Sequence, residues 1–188
     1  AVDTDGENEG VGAGGIAGKT GGISSLSDGT IQNLGQISGK DAVGGIIGVA
    51  EGTVTLDKGT VQSEGKITAQ KNAGGLFGEI KDDLEGTQDT NYIIKGDVSA
   101  GETAGGIVGR VFPVKEDSAV KISGMAVTDK NILGEITGNT AVGTIAGSAN
   151  GAEFIACFSN LAPENAPTKG IFLGQAEEGS TVSIKGSY

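Results

Sequence analysis

Apolar side chains in this chain alternate with polar or glycine positions in short runs, and the runs return at a nearly constant interval. Residues 13–18 read AGGIAG, and the pattern comes back as VGGIIG at 43–48, AGGLFG at 73–78, AGGIVG at 104–109 and VGTIAG at 142–147. A degenerate copy, KGIFLG, occupies 169–174. Successive starts differ by 30, 30, 31, 38 and 27 residues. A second run travels with the first: Gly35-Gln36-Ile37-Ser38, Gly65-Lys66-Ile67-Thr68, Gly96-Asp97-Val98-Ser99 and Gly134-Glu135-Ile136-Thr137 each begin eight residues before a hexapeptide. Glycine, polar, branched apolar, hydroxyl is a short strand that shows one side chain to an interior and the others to water. A third, less regular strand is marked by the alternating pairs Val54 and Leu56, Val120 and Ile122, and Val182 and Ile184. The period is two throughout, and helical spacing is absent.

A unit of this size cannot bury its few Ile side chains alone, whereas stacked units can. The repeat therefore predicts an all-β chain: a parallel β-solenoid (right-handed β-helix) of about six coils of ~30 residues, forming a single repeat domain over 1–188. Each coil is expected to hold about three strands of four to six residues. Equivalent side chains from successive coils, about 4.8 Å apart, would form interior ladders. One ladder is Ile16, Ile46, Leu76, Ile107, Ile145 and Phe172; another is Ile37, Ile67, Val98 and Ile136. The recurring glycines mark corners that need positive φ or close approach to the neighbouring coil.

Composition narrows the function classes. There are 36 glycines against three prolines, without a three-residue period, which excludes collagen. The net charge of -11 repels nucleic acid and anionic lipid, and Arg110 is the sole arginine. Cys157 has no partner for a disulfide and, with no histidine in the chain to activate it, reads as a small buried hydrophobe. No stretch is long and apolar enough to span a bilayer, and no signal-peptide pattern opens the chain. The start at Ala1 rather than Met reads as an excised piece of something longer.

The [AV]GG[IL]xG hexapeptide resembles the GLUG motif, a short repeat of bacterial surface and secreted proteins. The likeness covers the repeat cores from about residue 13 to 174, and Thr144 departs from the second glycine of the pattern. The resemblance implies an extracellular, cell-surface array of the adhesin sort, and it carries no catalytic residues to transfer.

Other candidate chemistry is thin. No hexapeptide is followed by the Lys-Ser or Lys-Thr of a phosphate loop. The acidic start, Asp3-Thr4-Asp5-Gly6-Glu7-Asn8-Glu9, opens like a calcium loop but has Gly14 where the terminal bidentate Glu belongs. The carboxylates of Lys81-Asp82-Asp83-Leu84-Glu85 and Lys115-Glu116-Asp117 could serve a glycosidase or lyase. No Trp and only two Tyr, Tyr92 and Tyr188, supply the aromatic platforms such clefts use. The long spacing places an insertion around Arg110 to Lys130, which holds Phe112, Pro113 and Met125 and is where binding is added if it is added anywhere. Ice binding would need ladders of exposed Thr, and the sequence offers only scattered Thr and Ser. The expected function is a non-catalytic structural or adhesive repeat module of a secreted or cell-surface bacterial protein, part of a larger surface protein. No catalytic, cofactor-binding or metal residues are assigned. Partners would be a host or cell-envelope glycan or protein, with no nucleic acid and no membrane span. The alternative is a carbohydrate-active enzyme, a polysaccharide lyase or glycosidase, on the same scaffold.

Overall fold

The computed structural model describes residues 2–4, 12–21, 24–87, 89–115, 118–164 and 166–188, and these hold strands and no helix. Among them every strand pairing is parallel and joins one coil to a neighbouring one, so the chain is a parallel β-solenoid. No helix is long and apolar enough to cross a membrane among the described residues.

Each coil has four sides rather than three. The first sheet stacks Val2–Thr4, Ile37–Gly39, Ile67–Ala69, Val98–Ala100 and Ile136–Gly138. The second stacks Gly12–Gly14, Ala42–Gly44, Asn72–Gly74, Thr103–Gly105, Ala141–Gly143 and Thr168–Gly170. The third stacks Ala17–Thr20, Ile47–Ala50, Phe77–Ile80, Val108–Val111, Ala146–Ala149 and Leu173–Ala176. The fourth runs from Ser24–Asn33 and Val54–Ser63 through Leu84–Gly86 with Thr90–Ile94, then Val120–Ser123, Ala152–Ile155 and Val182–Lys185. The extra side arises because the hexapeptide is not one strand. It bends at its second glycine and following apolar residue, and its halves belong to the second and third sheets.

Register explains the periodicity. Ile37 pairs with Ile67, Ile67 with Val98 and Val98 with Ile136, as the second ladder requires. At the bend, the amide of Ile46 donates to the carbonyl of Leu76 at 2.9 Å, Leu76 to Ile107 at 3.0 Å and Ile107 to Ile145 at 3.1 Å. These four side chains are fully buried. The predicted ladder is corrected at its start: Ile16 keeps the hydrogen bond to Ile46 but is 57% exposed, because among the described residues only the following coil packs against it.

The glycine rule also takes one form here. The described hexapeptide glycines do not have positive φ; they are small because backbone lies against them. A Cβ built on Gly48 would lie 2.5 Å from the amide nitrogen of Ala13, and one on Gly78 would lie 2.5 Å from that of Val43. The second and third sheets therefore meet backbone to backbone at each bend.

Candidate functional site

Beyond those glycines the two sheets part, and polar residues line the opening. They are the residues directly flanking each hexapeptide: Asn72 and Thr103 before it, Glu79, Arg110 and Ser148 after it. Two adjoining depressions of about 430 and 230 Å³ share Lys71, Asn72 and Arg110 and form one groove across the coils. Asn72, Thr103 and Ser148 are buried at its base. Thr103 donates to Asn72 Oδ1 at 2.8 Å, and its hydroxyl stands 3.3 Å from that of Ser148.

Charges cross the groove's rim from coil to coil. Lys19 pairs with Glu51 at 2.8 Å, Glu51 with Lys81 at 3.5 Å, Lys81 with Glu79 at 3.6 Å, and Glu79 with Arg110 at 3.8 Å. Arg110 then grips Glu177 through two bonds, Nε to Oε1 at 2.7 Å and Nη2 to Oε2 at 3.0 Å. Its guanidinium also stacks on Phe112, 4.2 Å from the ring centre. Lys71 pairs with Asp41 at 2.8 Å on the other lip. Burial pushes the Glu79 carboxyl above the usual range, against the pull of Lys81 and Arg110. The hydrogen bond from Lys19 holds Glu51 below it. The groove thus contains a carboxyl whose pKa burial raises, Glu79, beside the Arg110 guanidinium, and acidic side chains paired with cations of other coils.

No family model matches the chain, and neither the curated proteins nor the solved structures searched give a match.

The carboxylates singled out from sequence do not converge. Asp82 accepts a hydrogen bond from Thr53 at 3.2 Å, and Asp83 accepts one from the backbone of Lys121 at 2.8 Å, so both tie adjacent coils together. Glu85 is exposed on its strand, Lys115 is exposed, and Glu116 and Asp117 lie outside the described residues. At the acidic start, Val2–Thr4 is a strand in register with Ile37–Gly39, not a loop; positions 5–9 lie outside the described residues. Among the described residues no group of three or more Cys, Asp or Glu is arranged to hold a metal. Cys157 is buried, and burial pushes its thiol up.

The insertion is shorter than the sequence suggests. Ile80 and Leu84 are in register with Val111 and Ile122, and Ile94 with Ile132, so the extra residues all fall between Val111 and Val120. Of these, Phe112 to Lys115, Ser118 and Ala119 wall a depression of about 490 Å³ with Asn150, Ser180 and Thr181. Met125 is not in it; this side chain is fully buried in the core.

One feature went unseen in sequence. The groove residues vary from coil to coil, and only their constant place beside the hexapeptide signals them. The hydroxyls of Ser38, Thr68, Ser99 and Thr137, which close the second repeated run of the sequence, stand in register on the outer face of the first sheet. They form a single rank bordered by Lys66, Asp97 and Glu135.

Proposed function

We propose that the chain is a non-catalytic structural or adhesive repeat module of a secreted or cell-surface bacterial protein. The observation that carries this reading is the charge ladder from Lys19 to Glu177, in which Lys19–Glu51, Glu51–Lys81 and Glu79–Arg110 each join one coil to the next and Arg110–Glu177 spans two coils. Asp82 and Asp83 are used in the same way. Such a surface suits a stiff spacer or a platform that presents its faces to a glycan or protein. Incubation of the purified chain with neutral and acidic polysaccharides tests it. No new reducing ends and no unsaturated products are expected, and either would overturn the reading.

One observation favours a second reading, a polysaccharide lyase or glycosidase. Glu79 is a carboxyl with a raised pKa beside Arg110 in an open groove, the setting a general acid needs. On that reading cleavage would be detected and would vanish in Glu79→Gln.

A further inference from the structure

We propose that the first sheet has a gap built into its sixth coil, and that the gap takes up an extended strand of a partner protein in which a basic residue adjoins a branched apolar one.

The gap begins in the sequence. Gly35, Gly65, Gly96 and Gly134 each stand eight residues before a hexapeptide, and the residue in that place before the sixth copy is Leu161. Stacking needs glycine there. A Cβ built on Gly65 would run into the carbonyl of Gly35, one on Gly96 into that of Gly65, and one on Gly134 into that of Gly96. Leu161 brings such a Cβ toward Gly134, so its segment cannot close to the usual strand spacing. Pro163 then takes the place of Ile37, Ile67, Val98 and Ile136.

The other three sides of the same coil are paired. Thr168–Gly170 is in register with Ala141–Gly143, Leu173–Ala176 with Ala146–Ala149, and Val182–Lys185 with Ala152–Ile155. Only the first sheet stops a coil earlier, at Ile136–Gly138. The amide of Ile37 donates to Lys66 at 2.9 Å, that of Ile67 to Asp97 at 2.8 Å and that of Val98 to Glu135 at 2.8 Å, whereas that of Ile136 meets no backbone acceptor among the described residues. A depression of about 350 Å³ is left between Ile136 and residues 161–164, lined on its apolar side by Ile132, Ile136 and Leu161. Ile136 is half-buried in consequence, while Ile37, Ile67 and Val98 are buried.

An open strand edge beside apolar side chains suits an extended backbone, which supplies the missing hydrogen bonds while its own apolar side chain continues the ladder. Charge selects among such strands. Glu135 and Glu164 are exposed at the depression, and Asp97 is exposed one coil before Glu135. In a chain of net charge -11, these favour a lysine or arginine next to the apolar residue. Lys66, preceding Ile67, is this chain's own example of that order in the same sheet.

A fluorescently labelled peptide with the sequence of residues 64–70 is therefore the probe, followed by anisotropy. Saturable binding is expected, together with slowed hydrogen exchange at the Ile136 amide. Glu135→Lys, at an exposed position, should weaken binding several-fold at low salt. Ile67→Asp in the peptide should weaken it by about tenfold or more. Leu161→Gly combined with Pro163→Val rebuilds the missing strand, so this variant should melt at a higher temperature and lose the peptide. The proposal would be overturned by no saturation up to about 1 mM peptide, by unaltered exchange at Ile136, or by a rebuilt variant whose melting and peptide binding match the parent. Self-association of the parent that the rebuilt variant lacks would also overturn it, by making a second copy the occupant. The inference rests on the adhesive reading, yet the two fail separately: cleaved polysaccharide would remove that reading and leave strand binding measurable, whereas absent peptide binding would remove this one alone.

Discussion

The hydroxyls of Thr144 and Ser159 stand 2.9 Å apart in the interior, and Thr144 also bonds the carbonyl of Ile171. In the preceding coils the place of Thr144 is taken by Gly45, Gly75 and Gly106, against Ser63, Ile94 and Ile132 respectively. A Cβ at Gly106 would strike the Thr144 carbonyl and Ile132, whereas in the fifth copy the threonine side chain meets a hydroxyl, that of Ser159. Thr144→Val keeps the shape and removes the hydroxyl, leaving Ser159 and the Ile171 carbonyl short of a partner. It should cost roughly 1–3 kcal/mol by denaturant unfolding. Adding Ser159→Ala should recover part of that loss, and strict additivity of the two changes would show that the pair is not coupled.

Gly75 is glycine for the same reason as Gly106. A Cβ there would meet the Gly106 carbonyl and stand 2.6 Å from Ile94 Cγ1. Gly75→Val should destabilise by about 3 kcal/mol or more, since backbone of the next coil cannot retreat without breaking the ladder. Gly21, which has nothing within 4 Å of a built Cβ, is the control. Gly21→Ala should leave the melting temperature unchanged, and equal losses at the two positions would contradict the close-approach explanation.

The difference between these glycines shows what sequence could and could not reveal. Ile37, Ile67, Val98 and Ile136 were readable as a ladder because each carries its own evidence: a branched side chain at a fixed offset. The bend inside the hexapeptide was not, because the atoms that forbid a Cβ at Gly75 belong to Gly106 and Ile94, on other strands. Asn72, Glu79 and Arg110 were hidden for the opposite reason. Equivalent positions carry Ala42 and Val49 one coil earlier, so nothing repeats except their place. The insertion was visible as a length, but it takes the pairing of Leu84 with Ile122 and of Ile94 with Ile132 to exclude Met125 from it.

Arg110 serves two carboxylates at once, Glu177 at 2.7 Å and Glu79 at 3.8 Å. Arg110→Met retains much of the packing on Phe112 and removes the charge, so Glu177 loses its bidentate partner and Glu79 is left with Lys81. With these groups still partly open to solvent, the loss should be roughly 1–3 kcal/mol at neutral pH. Arg110→Lys should restore only part, since one ammonium cannot span both oxygens of Glu177. Burial already raises Glu79, so its ionised form weakens the fold and its protonated form does not. The Arg110→Met variant should therefore regain stability relative to the parent as pH falls through the Glu79 titration. A deficit constant from pH 7 down to 4 would rule out this electrostatic account.

Tyr92 is buried, its hydroxyl makes no hydrogen bond of good geometry among the described residues although Thr90 lies nearby, and burial pushes its pKa up to about 12. The hydroxyl lies where a Cβ on Gly86 would reach, beside Met125. Two consequences follow. Tyr92→Phe removes an unsatisfied polar atom and should be neutral or stabilising by about 1 kcal/mol at pH 7. In the parent, the folded chain holds the phenol proton to about pH 12 whereas an unfolded tyrosine releases it near about 10. Stability contributed by the neutral phenol is thus complete below about pH 10 and lost as pH rises toward 12. Unfolding midpoints measured from pH 9 to 12 should fall more steeply for the parent than for Tyr92→Phe. Tyrosinate absorbance in a Tyr188→Phe background should appear only as the fold is lost. Superimposable pH profiles, or tyrosinate absorbance near pH 10 with the sheet signal intact, would show that Tyr92 is not sealed in the core.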